Sequence, residues 1–193
     1  MEYSDVIAGA ISRHREALEG FNRGVREEAG LAANVLRDAI ARGKKVLACG
    51  NGGSAADAEH FIGELLCRYK DDRKPLRGIS LASQTSALTA IGNDYNFETV
   101  FARQVEALGD AGDVLLAITT SGKSKNVIAA MRAARSKGMR IVALTGRVGG
   151  TALRDEADIV VAIPSDETAR IQEMHELVYH SWCEFLDAEV GAR

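Results

Sequence analysis

Five short aliphatic runs, set apart by stretches long enough for helices, constrain this chain more than any other feature. They are Val46-Leu47-Ala48-Cys49, Ile79-Ser80-Leu81-Ala82, Val114-Leu115-Leu116-Ala117-Ile118, Ile141-Val142-Ala143-Leu144 and Ile159-Val160-Val161-Ala162-Ile163. Each reads as a strand buried on both faces, and the segments between them suit crossover helices. The alternation predicts a doubly wound α/β fold with a five-stranded parallel sheet. Ahead of it, residues 3–42 carry no strand signal. Val6, Ala10, Leu18, Phe21, Leu31, Val35, Leu36 and Ile40 recur there at helical spacing, punctuated by Gly30 and Gly43. Two N-terminal helices are therefore expected over about 3–42, covering apolar surface of the core or of a partner subunit. A last helix is expected from about Thr168 to Glu189. With no repeat or linker, residues 1–193 read as a single domain.

Hydrophobic residues make up 46% of the chain and charged residues 26%, which excludes disordered and fibrous classes. A net charge of −3 gives no electrostatic reason for nucleic acid or an anionic membrane as partner. No apolar run approaches the ~20 residues of a membrane span. The opening MEYSDVIAGA lacks the basic-then-apolar order of a signal peptide. Cys49, Cys67 and Cys183 form no CxxC and read as buried, reduced thiols of a cytoplasmic protein. Glycine is over-represented, at 19 of 193 residues, so bare backbone is wanted somewhere.

In such sheets, ligands sit beyond the carboxyl ends of the strands, at a switch in strand order. The first run ends in Gly50-Asn51-Gly52-Gly53-Ser54-Ala55, a turn whose free N–H groups at a helix start favour an anion. The string fits G-x-G-x-x-A. A dinucleotide site would also want an acid at the end of the second strand, and Ala82-Ser83-Gln84-Thr85 stands there. The third run ends in Thr119-Thr120-Ser121-Gly122-Lys123-Ser124. Its hydroxyls and free N–H groups make a cradle for a phosphate dianion. A P-loop would need glycine at position 117, which is alanine. An organic phosphate is the ligand that both turns suit. The turn Thr145-Gly146-Arg147-Val148-Gly149-Gly150 shapes the pocket or is a plain loop, and spacing does not separate the two readings.

Two helices carry ligating groups. His60 and Glu64 are four apart on one face of the helix after the first turn. Gln172, Glu176 and His180 share a face of the last helix at steps of four, whereas Glu173 and His175 lie off it. Imidazole, carboxylate and amide groups on facing helices suit a divalent metal such as zinc, with a position left for substrate.

Several longer strings now combine. GNGGSAADAEH over 50–60, Ala90-Ile91-Gly92-Asn93-Asp94, Thr120-Ser121-Gly122-Lys123-Ser124 and Arg170-Ile171-Gln172-Glu173 together resemble the phosphoheptose isomerases, enzymes built on a sugar-isomerase (SIS) domain. The TSGxS string alone marks only the wider sugar-phosphate-binding superfamily. The resemblance implies a flavodoxin-like parallel sheet and a homotetramer with active sites at subunit interfaces. The implied reaction converts sedoheptulose 7-phosphate to D-glycero-D-manno-heptose 7-phosphate for activated-heptose, lipopolysaccharide or surface-glycan synthesis. His60, Glu64, Gln172 and His180 match the ligands of one zinc per subunit, and Glu64 and His180 the catalytic pair. Asn51, Gly52, Gly53 and Ser54 match substrate contacts. Thr119, Thr120, Ser121 and Ser124 match the phosphate cradle, and Arg68, Asn93 and Asp94 match pocket residues. Thr168 and Gln172 are further candidates for substrate contact. Two departures stand out: Thr119 replaces a common serine, and Ala169 stands where some relatives have aspartate.

Ketose-to-aldose isomerisation through a cis-enediol needs a base beside the carbonyl and an acid for the oxygens. A carboxylate and an imidazole suit those roles. A zinc ion could polarise the carbonyl, steady the enediolate or only organise the site. A zinc-bound carboxylate is a weaker base, so Glu64 would have to alternate between its two implied roles. Two other functions use the same fold. One is a non-catalytic protein that binds a sugar phosphate or a replication initiator; the other is an isomerase for a different sugar phosphate.

Overall fold

The computed structural model describes residues 2–190. In chain order they form α1 (Tyr3–Glu19), α2 (Arg23–Ala41), β1 (Val46–Cys49), α3 (Gly53–Leu66), β2 (Gly78–Ser80) and α4 (Thr85–Asp94). A 3₁₀ turn (Phe97–Thr99) precedes α5 (Ala102–Leu108), β3 (Val114–Thr119), α6 (Lys125–Ser136), β4 (Arg140–Gly146), α7 (Arg147–Ala152), β5 (Ile159–Ile163) and α8 (Thr168–Val190). All strand pairs are parallel, in the order β2-β1-β3-β4-β5. This is the expected doubly wound sheet. The chain leaves β1 for β2 on one side, then returns past β1 to build the rest on the other. The crevice opened by that reversal lies at the carboxyl ends of β1 and β3.

Alternate side chains of each strand feed two apolar layers, as a period of two requires. Val46, Ala48, Leu116, Ile118, Val142, Leu144, Val161 and Ile163 face α2, α3 and α8. Leu47, Cys49, Leu115, Ala117, Ile141, Ala143 and Val160 face α5 and α6. A layer of helices on each face explains why the runs read as unbroken aliphatic strings.

The structure corrects three expectations. Gly30 lies inside α2. The break between the first two helices falls at residues 20–22, where the Asn22 side chain caps α2 by accepting from the N–H groups of Gly24 and Val25. β2 is an edge strand of three residues and only its last is buried, because it has a neighbour on one side alone. Cys67 is exposed at the end of α3; Cys49 and Cys183 are buried, and burial pushes both thiols up to about 12. Of the two N-terminal helices, α2 buries Leu36 and Ile40 against the core, whereas α1 buries only Ala17 and leaves Val6, Ile7, Ile11 and Leu18 exposed. No helix of the described residues is long and apolar enough to cross a membrane.

Candidate active site

The turn after β3 and the start of α6 form the first half of the site. Ser124 precedes α6, a twelve-residue helix, without capping it through its side chain. Thr120, Ser121 and Lys123 line a cavity of about 170 Å³ together with Val148, Ser165, Asp166, Thr168 and Ile171. Its walls therefore come from the ends of β3, β4 and β5 and from the first turn of α8. Val148 places the fourth turn in the pocket wall, which spacing alone left open. Thr119 is buried, and its hydroxyl lies 3.0 Å from the Ser124 hydroxyl. Neither Thr119 nor Ser124 lines the cavity itself; their hydroxyls are paired with each other. Asp166, near the variant Ala169, pairs with Arg147 at 3.7 Å.

Gly122 explains part of the glycine excess. Its φ is +68°, and a Cβ there would lie 2.4 Å from the Gly149 Cα, a backbone atom that cannot yield. Gly122→Ala is expected to cost about 1–3 kcal/mol through strain alone. It should also weaken inorganic phosphate binding at this turn. A thermal melt with and without phosphate checks both effects.

The turn after β1 is locked to the first half. Asn51 and Asn126 exchange two amide hydrogen bonds: Asn51 Nδ2 donates to Asn126 Oδ1 at 2.8 Å, and Asn126 Nδ2 to Asn51 Oδ1 at 2.9 Å. This clasp spans the switch point of the sheet. Asn51, expected to contact substrate, spends one side-chain N–H and one lone pair on this clasp and keeps a second of each. Gly52 and Gly53 remain exposed at the start of α3, and Ser54 is buried with its N–H on the Asn51 carbonyl. Gly53 also seats Gln172: a Cβ on Gly53 would lie 2.2 Å from the Gln172 Nε2.

That contact begins a run of pairings between α3 and α8, which lie side by side and point the same way. Gly53 meets Gln172, and two turns further on His60 meets His180, with their Nε2 atoms 3.4 Å apart. Glu64 Oε1 is 3.2 Å from His60 Nε2. The ligand atoms of His60, Glu64 and His180 all lie within 4.8 Å of one another. Tetrahedral zinc with bonds of ~2.0–2.2 Å wants its ligands about 3.3–3.6 Å apart, so the donor set fits such an ion. Gln172 is on the same face of α8, nearer the cavity. Glu176 approaches the other side of His60, 3.8 Å from Nδ1. His175 is fully buried off this face, with Nε2 3.3 Å from the Thr145 carbonyl.

Tyr179 packs against both imidazoles, and its hydroxyl is 2.9 Å from His60 Nδ1. Burial, reinforced by the charges of Asp57 and Glu176, holds this phenol above its ordinary value, so it stays a hydroxyl. Arg68, Asn93 and Asp94 are exposed and bond within their own segments, Arg68 to the Lys70 carbonyl and Asn93 to Asp94. Sequence reading missed Asn126, Lys123 and Tyr179. Lys123 stands inside the phosphate-type turn and Asn126 two residues beyond it, so both offered a signal; Tyr179 offered none.

The chain matches the SIS domain family over residues 11–146. It is 54% identical over 158 residues to the phosphoheptose isomerase of Alteromonas mediterranea, covering 81% of this chain and 80% of that one. To the phosphoheptose isomerase of Bordetella avium it is 47% identical over 189 residues, covering 95% and 96%. The solved phosphoheptose isomerase of Neisseria gonorrhoeae superposes with a TM-score of 0.89 at 42% identity, covering 97% of this chain and all of that one. With the sheet order, the phosphate-type turn and the His-Glu-His cluster all in place, the chain belongs to the SIS domain family and, within it, to the phosphoheptose isomerases.

Proposed function

We infer that the chain interconverts sedoheptulose 7-phosphate and D-glycero-D-manno-heptose 7-phosphate. The observation that carries this reading is the geometry of α8. One helix brings Thr168 and Ile171 to the hydroxyl-lined cavity and, further along, His180 to Glu64 and His60. His180 lies nine positions beyond Ile171, about 14 Å along the helix axis. A phosphate held at Thr120, Ser121, Ser124 and the start of α6 would leave a long open-chain sugar reaching toward Glu64. A triose phosphate would fall short.

The steps assigned to this chain are proton transfers. Glu64 takes a proton from C1 of the ketose while His180 gives one to the C2 oxygen, which yields the cis-enediol. Glu64 then returns the proton to C2 as the C1 hydroxyl gives up its own to His180. The proton lost at C1 is regained at C2, and the oxygens exchange one proton. Lys123 brings positive charge to the cavity that takes the phosphate, and Gln172, seated on Gly53, lies between the two ends. His60, Glu64, Gln172 and His180 would hold a zinc ion, whose chemistry when bound is Lewis-acid polarisation of the sugar carbonyl.

The exposed apolar residues of α1, together with Tyr95 and Phe97 beyond α4, support a homotetramer. In that assembly Arg68, Asn93 and Asp94 would meet a pocket completed across the interface. The free cysteines and the absence of a membrane-spanning helix among the described residues support a cytoplasmic place.

The test is an NMR assay with sedoheptulose 7-phosphate, with and without a strong chelator. Turnover that disappears on chelation and returns with zinc is the expected result. No turnover in zinc-loaded protein would convert the reading to a sugar-phosphate-binding protein. Full turnover in chelator would remove the metal from the chemistry.

A further inference from the structure

His60 has two ring nitrogens with different surroundings. Nε2 faces Glu64 Oε1 at 3.2 Å and His180 Nε2 at 3.4 Å, in the metal-type cluster. Nδ1 faces away from it, 2.9 Å from the Tyr179 hydroxyl. If Nε2 gives its lone pair to a metal, Nδ1 must carry the ring proton and needs an acceptor. The Tyr179 oxygen is placed to be that acceptor. Glu176 Oε1 is the other candidate, but at 3.8 Å it is beyond hydrogen-bond range.

Tyr179 is itself held firmly. It is 1% exposed and packs its ring against Phe61 at 6.1 Å between centroids. The same ring stands edge-on to both histidines, 5.4 Å from His60 at 74° and 5.0 Å from His180 at 80°. One buried side chain therefore touches an imidazole on α3 and its neighbour on α8. We propose that Tyr179 is a positioning residue for the metal site: its hydroxyl accepts the His60 Nδ1–H, and its ring sets the angle at which His60 and His180 present Nε2. The proposal rests on the zinc reading given above. Partners of this kind are worth roughly 10–100-fold in metal affinity where they have been removed from other sites.

The test measures zinc affinity of the metal-free chain by competition with a chromophoric chelator, alongside its melting temperature. Tyr179→Phe keeps the ring and removes the acceptor. The expected result is a fall in zinc affinity of about 10-fold or more, with the metal-free melting temperature nearly unchanged. Glu176→Gln should leave zinc affinity within about threefold. Equal affinity in wild type and Tyr179→Phe would overturn the proposal, as would a loss confined to Glu176→Gln. Failure of the wild type to bind zinc would overturn it together with the metal reading, a result distinct from the other two. Should Tyr179→Phe not fold, the zinc-loaded wild type decides by NMR. A His60 Nδ1 proton protected from exchange is expected, and a rapidly exchanging one would sink the idea.

Discussion

Glu64→Gln should lower turnover of sedoheptulose 7-phosphate by roughly 10²–10⁴-fold, the usual worth of a positioned acid–base group. Glutamine keeps the size and hydrogen-bonding reach of the side chain but cannot take a proton from carbon. The fold should survive, because Glu64 is only half-buried and its backbone carbonyl is held by Arg73. Binding at the other end should survive too, since the cavity walls come from the turns after β3, β4 and β5 and from the start of α8. The loss is therefore expected in kcat, with KM little changed, as for a group used only in the transition state. Glu64 is also a proposed metal ligand, so the variant will hold zinc less tightly. Activity expressed per bound zinc separates the two effects: loss of the base leaves it low in fully loaded protein, whereas loss of the ligand alone would restore it. Near-normal kcat would remove Glu64 from the base role.

Much of this site is legible in the sequence because its parts are local. A phosphate turn after a buried strand, and His60 with Glu64 one helical turn apart, each lie within a few residues. Gln172 and His180 share a face by simple periodicity. What escapes the sequence is pairing over long separations. Asn51 and Asn126 are 75 residues apart, and nothing in either neighbourhood announces that the two amides bond to each other. The same holds for Tyr179 and His60, 119 residues apart, where a tyrosine inside an apolar helix face reads as core. The short edge strand at β2 was placed but misjudged, since the run Ile79–Ala82 gives no sign that one side lacks a neighbour. For α1 the periodicity gives the apolar stripe but not what covers it, since core and partner subunit ask for the same pattern.

The second large effect concerns what keeps the two catalytic helices in step. Arg73 and Asp187 form an ion pair at 2.6 Å, and both side chains are almost fully buried, at 1% and 2% exposure. Asp187 on α8 also accepts from the N–H groups of Lys70 and Asp71. Arg73 donates to the carbonyls of Glu64 and Leu65 in the last turn of α3. The guanidinium thus caps the helix that carries Glu64 and ties it to the helix that carries His180, with positive charge at a helix C-terminus. Arg73→Met is expected to cost about 3–5 kcal/mol, because it leaves a buried carboxylate uncompensated and two helix carbonyls without donors. For a chain of this size that is a fall in Tm of roughly 6–20 °C. Asp187→Asn should cost a similar amount at neutral pH, and the two should be far from additive, since either change already breaks the unit. Acid gives an independent check. Burial pushes the Asp187 carboxyl up, but the Lys70 and Asp71 N–H groups and the Arg73 guanidinium outweigh it and hold the group below its ordinary 3.8. A group depressed on folding contributes stability that is complete above its unfolded value and lost as pH falls through the folded one. Wild-type stability should therefore drop below about pH 4 more steeply than that of Asp187→Asn, and the two curves should converge in strong acid. Parallel acid limbs in the two proteins would show that this pair is not what holds α3 to α8.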